Sequence, residues 1–174
     1  MSHSKEVLDI LVRYLILLAV AIQNLYLFYF IFTPLTIYPV YFLTKLFFQS
    51  LLSGNIITIN SLSIQLIDAC IAASAYYLLL ILNLSTPKIR ISRRIKMLFL
   101  AFISILILNV LRIFFLILLA LNNSSFFEII HKTLWYFLSI ILVVGIWFIQ
   151  VKIFKIKQIP FYSDFKHLFS LAKN

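Results

Sequence analysis

The distribution of charged residues divides the chain into long apolar segments. A helix needs about 20 mostly apolar residues to cross the hydrocarbon core of a bilayer. Residues 14–44 carry no charged side chain, and Thr33–Pro34 and Pro39 interrupt this run. The later apolar segments are bounded by clusters of Lys and Arg. The pattern predicts about five transmembrane helices, at residues 8–32, 35–52, 69–87, 97–121 and 133–151.

A different pattern lies between the second and third predicted helices. Apolar and polar residues alternate at 58–60 and again at 62–66, and Asn60–Ser61 is a suitable turn between them. Alternation with period two is typical of strands, so we predict a short β-hairpin directly before the helix that carries Cys70. Open strand edges cannot lie in lipid, which places the hairpin at the membrane surface.

The composition indicates a membrane protein and not a soluble globular one. The chain is 64% hydrophobic and only 11% charged, with a mean hydropathy of +1.10, whereas about a quarter of the residues of soluble domains are charged. We therefore predict an all-α polytopic membrane protein, with residues 1–174 forming a single transmembrane domain. Two glycines and one cysteine exclude a glycine-rich phosphate loop, an intrachain disulfide and a thiolate zinc site.

The positive charge predicts the orientation of the chain. Ten of the fifteen Lys and Arg residues lie in the 88–96 loop and in the tail at 152–174. Basic residues collect in the cytoplasm, so both segments are predicted to be cytoplasmic, and the hairpin and Cys70 extracytoplasmic. The net charge of +10 is thus explained without nucleic acid. The amino terminus lies outside if 35–52 crosses the cell membrane, and inside if that segment stays in the interface.

Arg112 is the costliest side chain in the predicted helices. Placing an arginine in hydrocarbon costs roughly 2.5–3.5 kcal/mol on insertion scales. The residue could join helices through backbone carbonyls, or it could provide a fixed positive charge for an anion. Asn109 lies one helical turn earlier on the same face and could orient the guanidinium.

Two further polar residues are predicted near Arg112, at the outer ends of neighbouring helices. Cys70 follows the hairpin, and His131 opens the fifth helix with Glu128 three residues before it, where the carboxylate could hold the imidazole. Each residue alone has an ordinary structural explanation. Together, a thiol, an imidazole and a guanidinium can perform acyl transfer. Asp68 could oppose thiolate formation or pair with Arg112.

The order of these motifs resembles the exosortase/archaeosortase family of membrane cysteine transpeptidases. That family has an extended segment, a cysteine motif, a basic loop, a helix with Asn-x-x-Arg, and a helix that opens with His or Arg. The resemblance covers residues 34–151. Its counterparts here are Pro34-Leu35-Thr36, Ile67-Asp68-Ala69-Cys70, the loop from Pro87 to Lys96, Asn109-Val110-Leu111-Arg112 and His131. One departure is that Ile71-Ala72 replaces the Ser/Thr-Gly that usually follows the cysteine.

The resemblance implies a function and roles for the residues. Members of the family cleave exported proteins at a C-terminal sorting signal, which consists of a short motif, a transmembrane helix and a basic tail. They form a thioester and pass the acyl group to an acceptor, here expected to be a membrane lipid. By resemblance, Cys70 is the nucleophile, His131 the general base and acid, and Arg112 the group that stabilises the thiolate or oxyanion. No cofactor is implied.

Two other functions are compatible with the same residues. A small transporter or channel subunit could use Arg112 and His131 to line a path for anions or protons, and Cys70 would then be dispensable. An inactive relative could bind sorting signals without cutting them, as the change at Ile71-Ala72 makes conceivable.

Overall fold

The computed structural model describes residues 3–122, 126–134 and 139–172, which are mostly helical with one small sheet. Two helices precede the sheet and the others follow it. The elements in chain order are α1 (His3–Ile22), α2 (Tyr26–Phe47), β1 (Ser50–Ser53), β2 (Ile56–Ile59), β3 (Leu62–Gln65), α3 (Asp68–Ile71), α4 (Ala73–Leu84), α5 (Ile91–Leu121), α6 (Phe127–Thr133), α7 (Ser139–Ile153) and α8 (Tyr162–Ala172).

Two of the described helices, α2 and α5, are long and apolar enough to cross a membrane by length and composition. The outward face of α5 is apolar, with Phe99 and Ile107 exposed, and so is that of α7, with Ile141 and Phe148 exposed. A helix that is apolar all round is either buried in a large core or surrounded by lipid. Because these side chains are exposed in the isolated chain, the outward faces favour lipid.

The helix predicted at 35–52 is not a separate element, so five separate membrane helices are not supported. The chain breaks at residues 23–25 rather than at Thr33–Pro34, and both prolines lie inside α2. Asn24 and Leu25 adopt left-handed φ angles of 49° and 59°. Asn tolerates this conformation better than most residues, which explains why the helix ends here.

Contacts along the bundle show that α1 and α2 run in the same direction. Arg13 of α1 donates to the Leu84 carbonyl at the end of α4 at 2.6 Å. Phe32 of α2 stacks on Tyr76, near the start of α4, with ring centroids 3.7 Å apart. Val40 then lies in a cluster with residues of the second half of α5. The pair therefore follows the bundle from one end towards the other, and α2 does not turn back.

The predicted hairpin is present and belongs to a three-stranded antiparallel sheet in the order β1-β2-β3. Ile59 pairs with Leu62 on either side of the Asn60–Ser61 turn. The additional strand β1 joins β2 through Gly54–Asn55, where Gly54 has a φ of 62°. Ile57 and Ile59 are fully buried, so one face of the sheet packs on the helices.

The later helices differ from the prediction in their bounds. The helix predicted at 69–87 is divided at Ala72 into α3 and α4. The fourth helix begins at Ile91, so part of the predicted basic loop is helical. The predicted fifth helix is represented by the end of α6 and by α7, and its residues 135–138 lie outside the described residues. Residues 123–125 of the outer loop and Lys173 of the tail lie outside them too.

The tail packs against the start of the chain at the end of the bundle opposite the sheet. Asp164 of α8 accepts two hydrogen bonds from the Arg13 guanidinium, both at 2.9 Å, and both side chains are buried. The Phe161 amide donates to the Ser85 carbonyl at 3.0 Å. Arg94 binds the carbonyls of nearby residues at the end of α4. The tail, the 88–96 segment and the start of α1 therefore share one end of the molecule.

Candidate active site

One cavity of about 310 Å³ brings Cys70, Arg112 and His131 together. The three residues lie on α3, α5 and α6, three elements that are separate in sequence. The rest of the lining is mostly apolar and comes from β3, α3, α5 and α6, with Gln65 as the other polar residue. A concave apolar site with a few convergent polar groups is the usual form of a ligand or active site.

Cys70 lies on a single turn of helix that ends abruptly. The Cys70 amide donates to the Ile67 carbonyl at 2.8 Å, and the residue is half-buried at the cavity. The turn ends because Ala72 adopts a left-handed conformation with φ 60° and ψ 35°. For a residue with a Cβ, this conformation costs roughly 1–2 kcal/mol. The break comes two residues after Cys70, whose carbonyl is bound from a neighbouring helix.

Asn109 binds this carbonyl, so its predicted role is corrected. Its Nδ2 atom donates to the Cys70 carbonyl oxygen at 2.8 Å, and among the described residues the Arg112 guanidinium donates to Ser139 and not to the Asn109 amide oxygen. Asn109 is buried on α5, and an unpaired carbonyl at this position would be costly to bury. The Asn-x-x-Arg spacing therefore places a group that positions the cysteine turn and a guanidinium on one face of α5, one helical turn apart.

Arg112 carries a charge that no described acidic side chain neutralises. Its Nη1 atom donates to the Ser139 hydroxyl at 3.1 Å, which links α5 to α7. Its Nε atom is buried and has no hydrogen-bond partner in the described part of the chain. The guanidinium and Cys70 line the same cavity. Arg112 thus joins two helices through a hydroxyl and not through backbone carbonyls, which was the structural alternative. Its remaining N–H groups can donate to an anion.

His131 lies on the wall of the cavity, exposed on α6 and beside the Phe127 ring at 5.6 Å. The predicted partner of its imidazole is corrected. The Glu128 carboxylate binds Lys132 at 2.7 Å. The hydrogen bond and the charge of Lys132 lower the pKa of Glu128. Among the described residues, Glu128 therefore binds Lys132 and does not hold the imidazole, so it does not fix the tautomer of His131.

Two further residues bear on the predicted site: Asp68, which was expected to affect it, and Ser139, which binds Arg112. Asp68 is exposed in the first turn of α3, and the described structure contains no ion pair between it and Arg112. Ser139 was not predicted, although it holds the Arg112 guanidinium. Its sequence signal is weak, because a single serine in an apolar helix commonly bonds its own backbone. The Ser139 hydroxyl does so as well, to the Leu134 carbonyl at 3.4 Å.

No protein-family model matches the sequence, and neither a curated protein nor a solved structure is significantly similar to the chain.

Proposed function

We propose that the chain is a membrane cysteine transpeptidase that cleaves C-terminal sorting signals of exported proteins and transfers them to a membrane lipid. One observation carries the proposal: Cys70, Arg112 and His131, from three separate elements, line the same cavity. The apolar lining also supports it, because charges and oriented dipoles act more strongly on a reacting group in a site that excludes water.

The proposed reaction uses all three groups in both of its halves. His131 takes the thiol proton, and the Cys70 sulfur attacks the carbonyl carbon of the cleaved peptide bond. Arg112 donates to the oxygen that becomes negative in the tetrahedral intermediate. His131 then gives its proton to the leaving amine, and a thioester remains. An acceptor hydroxyl then loses its proton to His131 and attacks the thioester, and Arg112 again donates to the oxyanion. The Cys70 sulfur leaves and takes the proton back from His131, which restores the thiol.

The backbone at Ala72 supports the resemblance despite the changed residues. The family has glycine at this position, the second after the cysteine, and glycine adopts a positive φ without steric cost. Ala72 adopts that same kind of backbone, with φ 60°. The departure from the family therefore concerns the side chain, while the backbone at this position is one that glycine favours.

The proposal includes a topology of four crossings. α1 and α2 form one broken crossing, because they follow the bundle in one direction. α3–α4, α5 and α6–α7 supply the others. The ion pair between Arg13 and Asp164 joins the start of the chain to the basic tail, so the positive-inside rule places both in the cytoplasm. The sheet and the cavity then face the opposite side.

The experiment is a processing assay with a reporter protein that ends in a candidate sorting signal from the same source. Wild-type protein should shorten the reporter, whereas Cys70→Ala, inserted and equally abundant, should leave it intact. Cys70→Ser serves as the matched control, because it keeps a small polar side chain without a reactive thiol. Normal processing by Cys70→Ala would refute the proposal. A transporter would instead tolerate Cys70→Ala and retain much flux with Arg112→Lys.

A further inference from the structure

The edge of the sheet beside the cavity is open. Within residues 3–122, 126–134 and 139–172, β3 pairs with β2 alone and is therefore an edge strand. The Leu66 amide donates to the Asn55 carbonyl at 2.9 Å, which identifies these opposite residues as a hydrogen-bonded pair. Hydrogen-bonded pairs alternate along an antiparallel ladder. The backbone N–H and C=O groups of Ser63 and Gln65 therefore point away from β2.

This edge lacks the charge, the proline and the bulge that commonly prevent an exposed strand from pairing. Natural sheets protect exposed edges with charged residues, proline or a bulge. β3 has the sequence Leu62-Ser63-Ile64-Gln65, with no charge and no proline, and its pairing with β2 is regular. At the other edge of the sheet, Ser50 of β1 is buried and its hydroxyl accepts from Thr44 at 3.4 Å. The β3 edge is thus the one suited to an added strand.

The open edge continues directly into the cavity. Ile64, Gln65, Leu66 and Ile67 all line it, and Cys70 follows one turn later. An extended peptide paired with β3 would therefore have one end at the thiol. Strand addition provides affinity through main-chain hydrogen bonds, largely independently of the peptide's sequence.

We propose that the substrate binds as an extended polypeptide that adds a fourth strand to the β3 edge. This inference rests on the proposed function for the identity of the ligand. The segment before the cleaved bond must run parallel to β3, because β3 itself leads towards Cys70 and the carboxyl end of that segment has to reach the sulfur. The free N–H and C=O groups of Ser63 and Gln65 hold the peptide backbone.

The first test is a scan of N-methylated peptides. Fluorescein-labelled peptides that span the motif of the reporter's sorting signal, each with one N-methyl amide, are titrated against the detergent-solubilised Cys70→Ala protein. Methylation should weaken binding about fivefold at alternate positions, the loss expected for one hydrogen bond. Affinity that does not alternate with position, or no binding at all, would overturn the strand site.

The second test changes the protein. Ser63→Pro removes one outward N–H, at the kind of edge position where a strand tolerates proline. The reference is Ser63→Ala, which loses the same hydroxyl and its hydrogen bond to Thr58 but keeps the N–H. Ser63→Pro should bind the peptide about fivefold more weakly than Ser63→Ala, and equal affinity would contradict the proposal. If Ser63→Pro does not fold, as judged by its thermal unfolding, the peptide scan decides.

Cleavage by the wild-type protein separates the two proposals. If N-methylation weakens binding at alternate positions but the peptides are never cleaved, the strand site is supported and the transpeptidase is refuted. If the peptides are cleaved through Cys70 but the effect of N-methylation on binding does not alternate, the transpeptidase is supported and the strand site is refuted.

Discussion

At the scale of single residues, the backbone of Ala72 holds local strain beside Cys70. Its left-handed φ of 60° interrupts the helix and shapes the turn that carries the thiol. We expect Ala72→Gly to raise the free energy of unfolding by about 1 kcal/mol, because glycine adopts this φ without a Cβ clash. Denaturant unfolding in detergent measures the change.

The matched control for this prediction is Ala75→Gly. Ala75 lies inside α4, where glycine should lower the free energy of unfolding by about 1 kcal/mol. Opposite signs at the two positions would support the assigned backbone. Destabilisation by Ala72→Gly would contradict it.

Arg112 is the residue for which charge and hydrogen-bond geometry can be separated. Lysine keeps the charge but loses the planar set of donors that binds the Ser139 hydroxyl. We expect Arg112→Lys to slow acylation of Cys70 by about 10²–10³-fold, the usual effect of losing an oxyanion donor. Single-turnover kinetics measure this rate. Unchanged kinetics in Arg112→Lys would show that the guanidinium geometry has no part in the reaction.

At the scale of elements, the contact between α3 and α5 positions the cysteine turn. Asn109→Ala removes the hydrogen bond to the Cys70 carbonyl, and we expect a loss of about 1–3 kcal/mol of unfolding free energy. The rate of Cys70 alkylation should change as well, because the turn is released. Ser104→Ala is the control on the same helix, since in the part of the chain that the structure describes the Ser104 hydroxyl bonds within α5, to the Leu100 carbonyl. Equal effects of the two substitutions would contradict the positioning role.

Helical content and the hairpin could be predicted from the sequence, but several boundaries could not. Alternation at 58–66 indicated β2 and β3, whereas the adjacent Leu51 and Leu52 concealed the alternation of β1. Prolines in an apolar run suggested a break, yet α2 continues through both of them. The break at Ala72 could not be predicted from propensity, because alanine is the best helix former.

The residues of the candidate site could also be predicted only in part. The costly Arg112 and the single cysteine identified two cavity residues from chemistry alone. The partners of Asn109 and Glu128 could not be predicted, because a polar side chain on a helix can bind a group on its own helix or on a neighbouring one. Asn109 reaches across to α3, while Glu128 stays on α6 with Lys132.

At the scale of the whole molecule, the buried ion pair between Arg13 and Asp164 joins the first helix to the last. Removing one partner of such a pair leaves a buried charge without compensation, so Asp164→Asn should lower the free energy of unfolding by about 3–5 kcal/mol. Unfolding in detergent and protease sensitivity of α8 measure the loss. Asp9→Asn is the control: Asp9 also binds Arg13, but its side chain is 64% exposed, and the expected loss is under about 1 kcal/mol. If the two substitutions lower the free energy of unfolding by similar amounts, burial of the ion pair does not determine its contribution to stability.

An acyl-enzyme on Cys70 is the intermediate that the proposed reaction requires, and it can be trapped. The purified protein is mixed with the reporter's sorting-signal peptide in detergent without lipid acceptor, and its intact mass is measured. We predict an adduct with the mass of the peptide segment before the cleaved bond, attached to Cys70, absent in Cys70→Ala and removed by hydroxylamine. Cleavage of the peptide without any adduct on Cys70, or by Cys70→Ala, would contradict the account.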